Sequence, residues 1–260
     1  MQGSSLGLLR SPRLERAGFK HAFTTRLGGV SKPPFDALDF AVLRDPSALA
    51  ENQRRLGEGV GFEPSNLHQT VQVHGNVLRI AAGEPRDSLA HEADALVAEP
   101  GSGHAVAVRV ADCVPVLVGC GATGRAAAIH AGWRGVENGM VKVAVGHLAK
   151  DGAASGMVAA IGPCIGPCCF EVGADVGARI VASVADPLVI DRHVDDKAFV
   201  DLRRAVRAQL RALGIPDDAI DDVPGTGRSA CTRCDRERYY SYRRDGDASG
   251  RLIAVIMARP

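Results

Sequence analysis

The sequence predicts an α+β fold built around mixed β-sheet, and three observations carry that reading. Apolar runs at 105–110, 114–118, 126–129 and 157–161 have strand length. Two of them, ending near His130 and Ile161, pass through glycine-bearing turns toward helical stretches, from about Val136 to Leu148 and from about Ala174 to Val184. The C-terminal third reads as a hairpin, with strands at 237–243 and 251–257 joined by a loop holding Asp245-Gly246. Strand–turn–helix units mixed with hairpins argue against a purely parallel, doubly wound sheet.

The remaining elements follow in order. Residues 1–20 form an arginine-bearing lead-in that includes an early strand. The stretch Thr24-Thr25-Arg26-Leu27-Gly28-Gly29-Val30-Ser31 reads as loop, because paired glycines permit backbone geometry that other residues resist. A helix opens at Pro46, with Ser47 as its cap, and runs to about Gly59. Strands at 69–73 and 77–81 place His74 and Gly75 at the turn between them. A further helix spans roughly 200–213 and stops at Gly214. No Pro-, Gly- or Ser-rich linker divides the 260 residues and no fixed-period repeat appears, so one domain over 1–260 is expected.

Composition excludes several classes of function. Thirty-one basic residues balance 30 acidic ones for a formal charge of +1, which argues against an electrostatic nucleic-acid binder. The arginine clusters at 203–211 and 233–244 read as a solvated helix face and a surface loop. The most apolar stretch, 105–120, is broken by Arg109 and Asp112, so no membrane span is expected. The N-terminal decapeptide carries no secretory signal pattern. Seven cysteines without a disulfide-scaffold pattern read as reduced thiols in a cytoplasm. Oligomeric state has no signature in the sequence.

Chemistry concentrates in three short segments: Gln72-Val73-His74-Gly75, Ala111-Asp112-Cys113 and His130-Ala131-Gly132-Trp133-Arg134-Gly135, the last holding the sole tryptophan. Two imidazoles and a thiolate suit zinc, and three protein ligands leave a fourth position open for water or substrate. Asp112 beside Cys113 can orient a ligand or move a proton. Trp133 can stack on a planar base, and Arg134 can bind an anionic group such as phosphate. The spacing 74…113…130 matches no compact zinc signature, so a metal-free Cys113–His130 pair, thiol nucleophile with its base, stays open. The cysteines at 164, 168, 169, 231 and 234 read as small apolar thiols filling tight loops. Cys231-Thr-Arg-Cys234 has the spacing of one zinc-knuckle half, and Cys164 with Cys168 and Cys169 could supply the other. The x₃ rather than x₂ spacing of that cluster, stiffened by Pro163 and Pro167, ranks a structural zinc behind the packing reading. No His-x-His pair occurs among the eight histidines, which argues against multicopper oxygen chemistry.

Seven motifs occur in order: residues 24–31, 72–75, 111–113 and 130–135, Ile161-Gly-Pro-Cys-Ile-Gly-Pro167, Phe170-Glu-Val-Gly173 and Ser241-Tyr-Arg-Arg-Asp245. Together they resemble the purine nucleoside phosphorylase family earlier described as laccase-domain or multicopper polyphenol oxidase, from about residue 20 to the C-terminus. The resemblance implies a single-domain layered sandwich with mixed β-sheets inside and helices outside, related to cysteine hydrolases of the toxin-deamidase type. It implies zinc-dependent phosphorolysis of adenosine, inosine, guanosine and 5′-methylthioadenosine, with an adenosine deaminase side activity. It further implies His74, Cys113 and His130 as metal ligands and zinc as the metal; because Cu²⁺ outcompetes Zn²⁺ at most N/S sites, copper can occupy them in vitro. Purine nucleosides and phosphate would be the partners. Some bacterial members are linked to editing of peptidoglycan precursors, which keeps a Cys–His amidase reading alive beside the laccase label. Cys113, Asp112 and Glu171 are the expected catalytic groups. Arg26, Trp133, Arg134 and Arg243 are the expected substrate contacts, with Arg244 behind them. Where the family has Ser-Leu-Asn-Leu after Phe35, this chain has Ala37-Leu38-Asp39-Phe40, a change that alters substrate preference if position 39 meets the nucleoside.

Overall fold

The computed structural model describes residues 6–151 and 153–260; the first five residues of the lead-in, on which part of the leader reading falls, lie outside them. The chain runs through β1 (Leu8–Leu9), α1 (Pro12–Arg16), β2 (His21–Thr24), α2 (Pro46–Val60) and β3 (Leu67–His68). It continues through β4 (Leu78–Ile80), α3 (Pro85–Ser88), β5 (Ala95–Ala98), β6 (Ala105–Val110), β7 (Val114–Cys120) and β8 (Ala126–Ala131). Then come α4 (Trp133–Glu137), α5 (Met140–Leu148), β9 (Met157–Ile161), β10 (Glu171–Gly173), α6 (Ala174–Val184), β11 (Ile190–Val194) and β12 (Lys197–Val200). The last elements are α7 (Leu202–Ala212), β13 (Ile220–Asp222), α8 (Tyr242–Asp245) and β14 (Leu252–Met257).

Two mixed sheets dominate, one ordered β1-β2-β14-β6-β3 and the other β13-β9-β7-β8-β5-β4, with a small antiparallel sheet β10-β12-β11 beside them. The period-2 alternation of side chains explains how they layer. On β14, Ile253 and Val255 face α2, packing with Leu56 and Val60, while Ala254 and Ile256 face the second sheet. On β8, Ala126 and Ala128 meet the first sheet, whereas Ala127 and Ile129 meet α5, where Met140, Val141 and Ala144 are fully buried. The small side chains Ala98, Ala126, Ala128, Ala160 and Ala254 line the sheet–sheet interface, and Phe19 and Phe23 fill its remaining space. The result is helix, sheet, sheet, helix: the α+β sandwich with β-layers inside. No helix among the described residues is long and apolar enough to cross a membrane.

Several elements differ from expectation for identifiable reasons. Helix α2 is capped by Asp45 rather than Ser47, its Oδ1 accepting from the Ser47 and Ala48 amides at 3.1 and 3.0 Å. The helix expected from Val136 starts earlier, at Trp133, and is interrupted at Gly139, whose φ of +75° a helix interior does not tolerate. The stretch 69–73 is no strand; one bridge, Val71 to Glu92, remains. Its backbone neighbour is replaced by a side chain: the Gln72 amide accepts from Arg109 N–H at 2.7 Å and donates to Arg109 C=O at 2.8 Å. The C-terminal hairpin is also absent, and β14 pairs with β2 and β6 instead. Residues 237–241 are held by side chains rather than a ladder: Arg238 bonds Asp235, and the Arg244 guanidinium donates to the carbonyls of Thr232, Arg233 and Tyr239. Arginines expected to be solvated are therefore partly structural. Arg203 is buried, donating to the Ile161 and Gly162 carbonyls and paired with Asp222 at 3.4 Å.

Candidate metal centre and cavity

The chain changes sheets between β6 and β7, and Ala111-Asp112-Cys113 is the link. Cys113 therefore sits at the joint between the two sheets. His130 lies near the end of β8, beside Pro115 of β7, and His74 lies in the loop before β4. One ligand atom from each of His74, Cys113 and His130 lies within 4.8 Å of the others. Cys113 Sγ is 3.7 Å from His74 Nε2, and the two imidazole rings meet edge to face at 4.8 Å between centroids. Gly132 makes the convergence sterically feasible: a Cβ there would stand 2.9 Å from His74 Cδ2 and 3.1 Å from Cys113 Sγ.

Behind the trio stands Asp94, fully buried and not expected from the sequence. Its Oδ1 accepts from His130 Nδ1 at 2.7 Å and from the His74 amide at 3.0 Å, its Oδ2 from the Gly75 amide at 2.7 Å. Its backbone carbonyl takes the His130 N–H at 2.7 Å. Burial pushes this carboxyl up, but the His130 imidazole and the amides outweigh it and leave its pKa below the usual value. A carboxylate at Nδ1 fixes a proton there and leaves the other ring nitrogen toward Cys113, as a lone pair when a metal is held and as a second N–H donor to the thiolate when none is. Burial likewise raises the Cys113 thiol, yet the charged His130 and hydrogen bonds from both imidazoles hold it at about 6. His130 shows the mirror image: burial lowers it, and the Cys113 thiolate with Asp94 holds it up at about 9. The chemistry of the set, two imidazoles and a readily ionised thiol oriented by a buried carboxylate, fits a zinc-type ion with one open position. The same atoms also form a thiolate–imidazolium–carboxylate relay.

The three side chains open on a cavity of about 800 Å³. Arg109, Arg243 and Arg251 line it together with Ile165, Phe170 and Tyr242. The three guanidinium groups donate to neutral acceptors: Arg109 to Gln69 Oε1 at 2.9 Å and the Thr70 carbonyl at 3.0 Å, Arg243 to the Glu171 carbonyl at 2.8 Å, Arg251 to the Ser249 carbonyl at 2.9 Å. Burial and the neighbouring Arg251 hold Arg109 down at about 10, the signature of a cation short of anionic company.

The other expected residues fall in varied places. Asp112 reaches the cavity wall, but its carboxylate is engaged by Thr232 Oγ1 at 2.5 Å, Ser241 Oγ at 3.0 Å and the Arg243 amide at 2.6 Å. It fastens the 232–243 segment to the joint, at the cost of a φ of +91°. Glu171 is exposed and outside the lining, with its backbone rather than its carboxylate bonded to Arg243. Trp133 is half-buried, packed against the helical core with the Arg134 guanidinium 4.4 Å from its ring centroid, and neither residue lines the cavity. Arg26 lines a second cavity of about 1160 Å³, where it bonds the Asp36 carbonyl at 2.7 Å and stacks on Tyr240. That space is wider but lacks histidine and cysteine, and its Arg26 and Arg244 already pair with Asp36 and Asp245. Asp39 is buried away from the 800 Å³ cavity, accepting from the Ala41 and Arg251 amides at 3.1 and 2.7 Å. Asparagine could accept the same bonds; the carboxylate adds a 3.6 Å ion pair with Arg44.

A family model described as multi-copper polyphenol oxidoreductase laccase matches residues 20–259. The chain belongs to that family. Its relatives include a purine nucleoside phosphorylase of Deinococcus radiodurans, 36% identical over 260 residues, covering 98% of this chain and 94% of the relative. One of Corynebacterium glutamicum is 34% identical over 240 residues, covering 91% and 93%. The crystal structure of YlmD from Geobacillus stearothermophilus superposes with a TM-score of 0.87 at 31% identity, covering 100% of this chain and 98% of that one. Family membership accounts for the α+β sandwich.

Proposed function

We propose that the chain is a zinc-dependent purine nucleoside phosphorylase acting on adenosine, inosine, guanosine and 5′-methylthioadenosine, with adenosine deaminase as a side activity. The observation that carries the reading is the pairing of a three-donor centre with three arginines that have no ion pair among the described residues, on one cavity. In phosphorolysis a phosphate oxygen forms a bond to C1′ of the ribose as the C1′–N9 bond breaks, leaving ribose 1-phosphate and the purine. Arg109, Arg243 and Arg251 would hold the phosphate by charge-assisted hydrogen bonds. Phe170 and Tyr242 offer faces for the purine. Asp112 keeps Arg243 in place through its amide, and Glu171, next to Phe170, is the remaining candidate acid at the rim. Zinc held by His74, Cys113 and His130 would supply a Lewis acid beside the reacting groups, and copper can enter the same donors in vitro. Seven free cysteines fit a reducing cytoplasm.

Free hypoxanthine released from inosine and phosphate is the test. Release should require phosphate and stop on chelation. Arg109→Gln should raise the KM for phosphate about 10- to 100-fold, the worth of one charge-assisted hydrogen bond. Release without phosphate would refute phosphorolysis. A second reading rests on the Cys113–His130–Asp94 relay, a metal-free thiol hydrolase acting on amide bonds such as those of cell-wall precursors. Activity on amides that survives chelation would favour it; dye oxidation dependent on added copper would favour the polyphenol oxidase reading.

A further inference from the structure

The sequence presents Cys168, Cys169, Cys231 and Cys234 as loop-filling thiols, yet the fold brings all four sulfurs within 4.8 Å of one another. Cys169 and Cys234 are 3.4 Å apart at Sγ, Cys168 and Cys234 3.6 Å. These separations are far beyond the roughly 2.05 Å of a disulfide. They lie near the edge of about 3.8 Å that a tetrahedron has when each metal–sulfur bond is about 2.3 Å. Cys231-Thr-Arg-Cys234 contributes the zinc-knuckle half. The adjacent pair Cys168-Cys169 reaches the same centre because the chain turns sharply there, the Cys169 and Phe170 amides both donating to the Gly166 carbonyl at 2.9 Å. Sulfur at this centre is also met by donors: the Gly166 amide points at Cys231 Sγ at 3.2 Å and the Arg233 guanidinium at Cys169 Sγ at 3.5 Å. Donors aimed at sulfur favour thiolate, the form that binds metal.

We propose that Cys168, Cys169, Cys231 and Cys234 form a second, closed zinc site, distinct from the centre at the sheet joint. Four soft donors with no imidazole or carboxylate among them suit zinc, and four protein ligands leave no position for substrate. None of the four cysteines lines the 800 Å³ cavity. The loops they join do shape it. Ile165 and Phe170 come from one, while Thr232, which holds Asp112, lies between the cysteines of the other. Besides sulfur contacts, the two loops share, among the described residues, one bridge, Cys164 with Cys231, and the Thr232 amide to the Cys164 carbonyl at 3.0 Å. A metal there cross-links a cavity wall that no strand ladder secures.

Metal analysis and native mass spectrometry of the full chain, purified under reductant, test this. Wild type should carry two zinc ions, and Cys113→Ala and Cys231→Ser should each lose one. Cobalt substitution of Cys113→Ala should retain the intense sulfur-to-cobalt charge-transfer band of a tetrathiolate. Cys234→His should keep the metal while weakening and shifting that band. One zinc in wild type, lost entirely with Cys113, would overturn the proposal. So would an intact mass two hydrogens light under native conditions, which marks a disulfide within the cluster. Should Cys231→Ser fail to fold, the cobalt spectrum of Cys113→Ala decides alone. That arm reads the tetrathiolate in a chain whose other centre is removed, so the proposal stands or falls apart from the nucleoside activity.

Discussion

Two cysteine-bearing regions of this molecule invite comparison. At the sheet joint a single thiol meets two imidazoles, a fully buried carboxylate stands behind, and a cavity lies in front. In the loops 166–170 and 231–234, four thiols face one another, and none of them lines that cavity. The first arrangement holds its donors at two strand ends and a loop and keeps a position free, as reacting sites require; the second closes its donors around themselves, as cross-links do. Two groups of similar atoms thus differ in purpose through what surrounds them.

The largest contrast should appear in turnover. Cys113→Ala should lower inosine phosphorolysis by roughly a thousandfold, the several kcal/mol that a Lewis acid contributes at a transition state. Cys234→Ser should stay within about tenfold of wild type in kcat while lowering the melting temperature, since a structural metal stabilises the folded state by binding it selectively. Initial rates at saturating inosine and thermal melts of the same preparations measure both. A Cys234→Ser variant as inactive as Cys113→Ala, yet melting like wild type, would break the comparison.

How much of this is legible in the sequence depends on how local the signal is. Cys113 and His130 stand out because each interrupts an apolar run beside a glycine or a carboxylate. The near-continuous apolar runs of β6, β7, β8, β9 and β14 foretell strands buried on both faces. Asp94 escapes a reading by motif, although an aspartate set in Ala93-Asp94-Ala95-Leu96-Val97-Ala98 is a charge that must be paired where it is buried. Arg109 reads only as a break in an apolar stretch, and the same logic marks it as a cavity cation. The segments 69–73 and 231–243 are illegible, because side-chain-to-backbone bonds rather than strand ladders hold them, as the Gln72 amide on the Arg109 backbone and the Asp112 carboxylate on the Arg243 amide show. Trp133 draws notice because rarity suggests function, whereas its half-buried ring lies against the helical core under Arg134 and Arg179.

A smaller effect sharpens the role of the buried carboxylate. Asp94→Asn should weaken zinc at the sheet joint by about 10- to 100-fold, the usual loss when the partner of a ligating imidazole is removed. The new amide nitrogen must face either His130 Nδ1 or the Gly75 amide, both donors that the carboxylate now satisfies. Competition with a chromophoric chelator reads the affinity. The tetrathiolate should hold its metal unchanged, so a parallel loss at both centres would mean that the substitution unsettles the fold rather than the ligand.

The gentlest contrast is in protonation, and metal-stripped protein shows it. Cys113 is held at about 6, chiefly against burial by His130, whereas burial pushes Cys164, beneath the second loop, up to about 11. Alkylation follows the thiolate. At pH 7 Cys113 should hold about ten thiolates per thiol, and Cys164 about one in ten thousand, from their distance to that pH. The sign is fixed by the partners: a lowered thiol loses its charge as pH falls through about 6, while a raised His130 keeps its charge until pH rises through about 9. The pair is therefore ionised between those limits. Iodoacetamide labelling mapped by peptide mass should rise through pH 6 at Cys113 and level off, with Cys164 silent across the range. A midpoint near the ordinary thiol value at Cys113 would show that His130 and Asp94 do not polarise it, and would reduce the sheet joint to the same inert packing as Cys164.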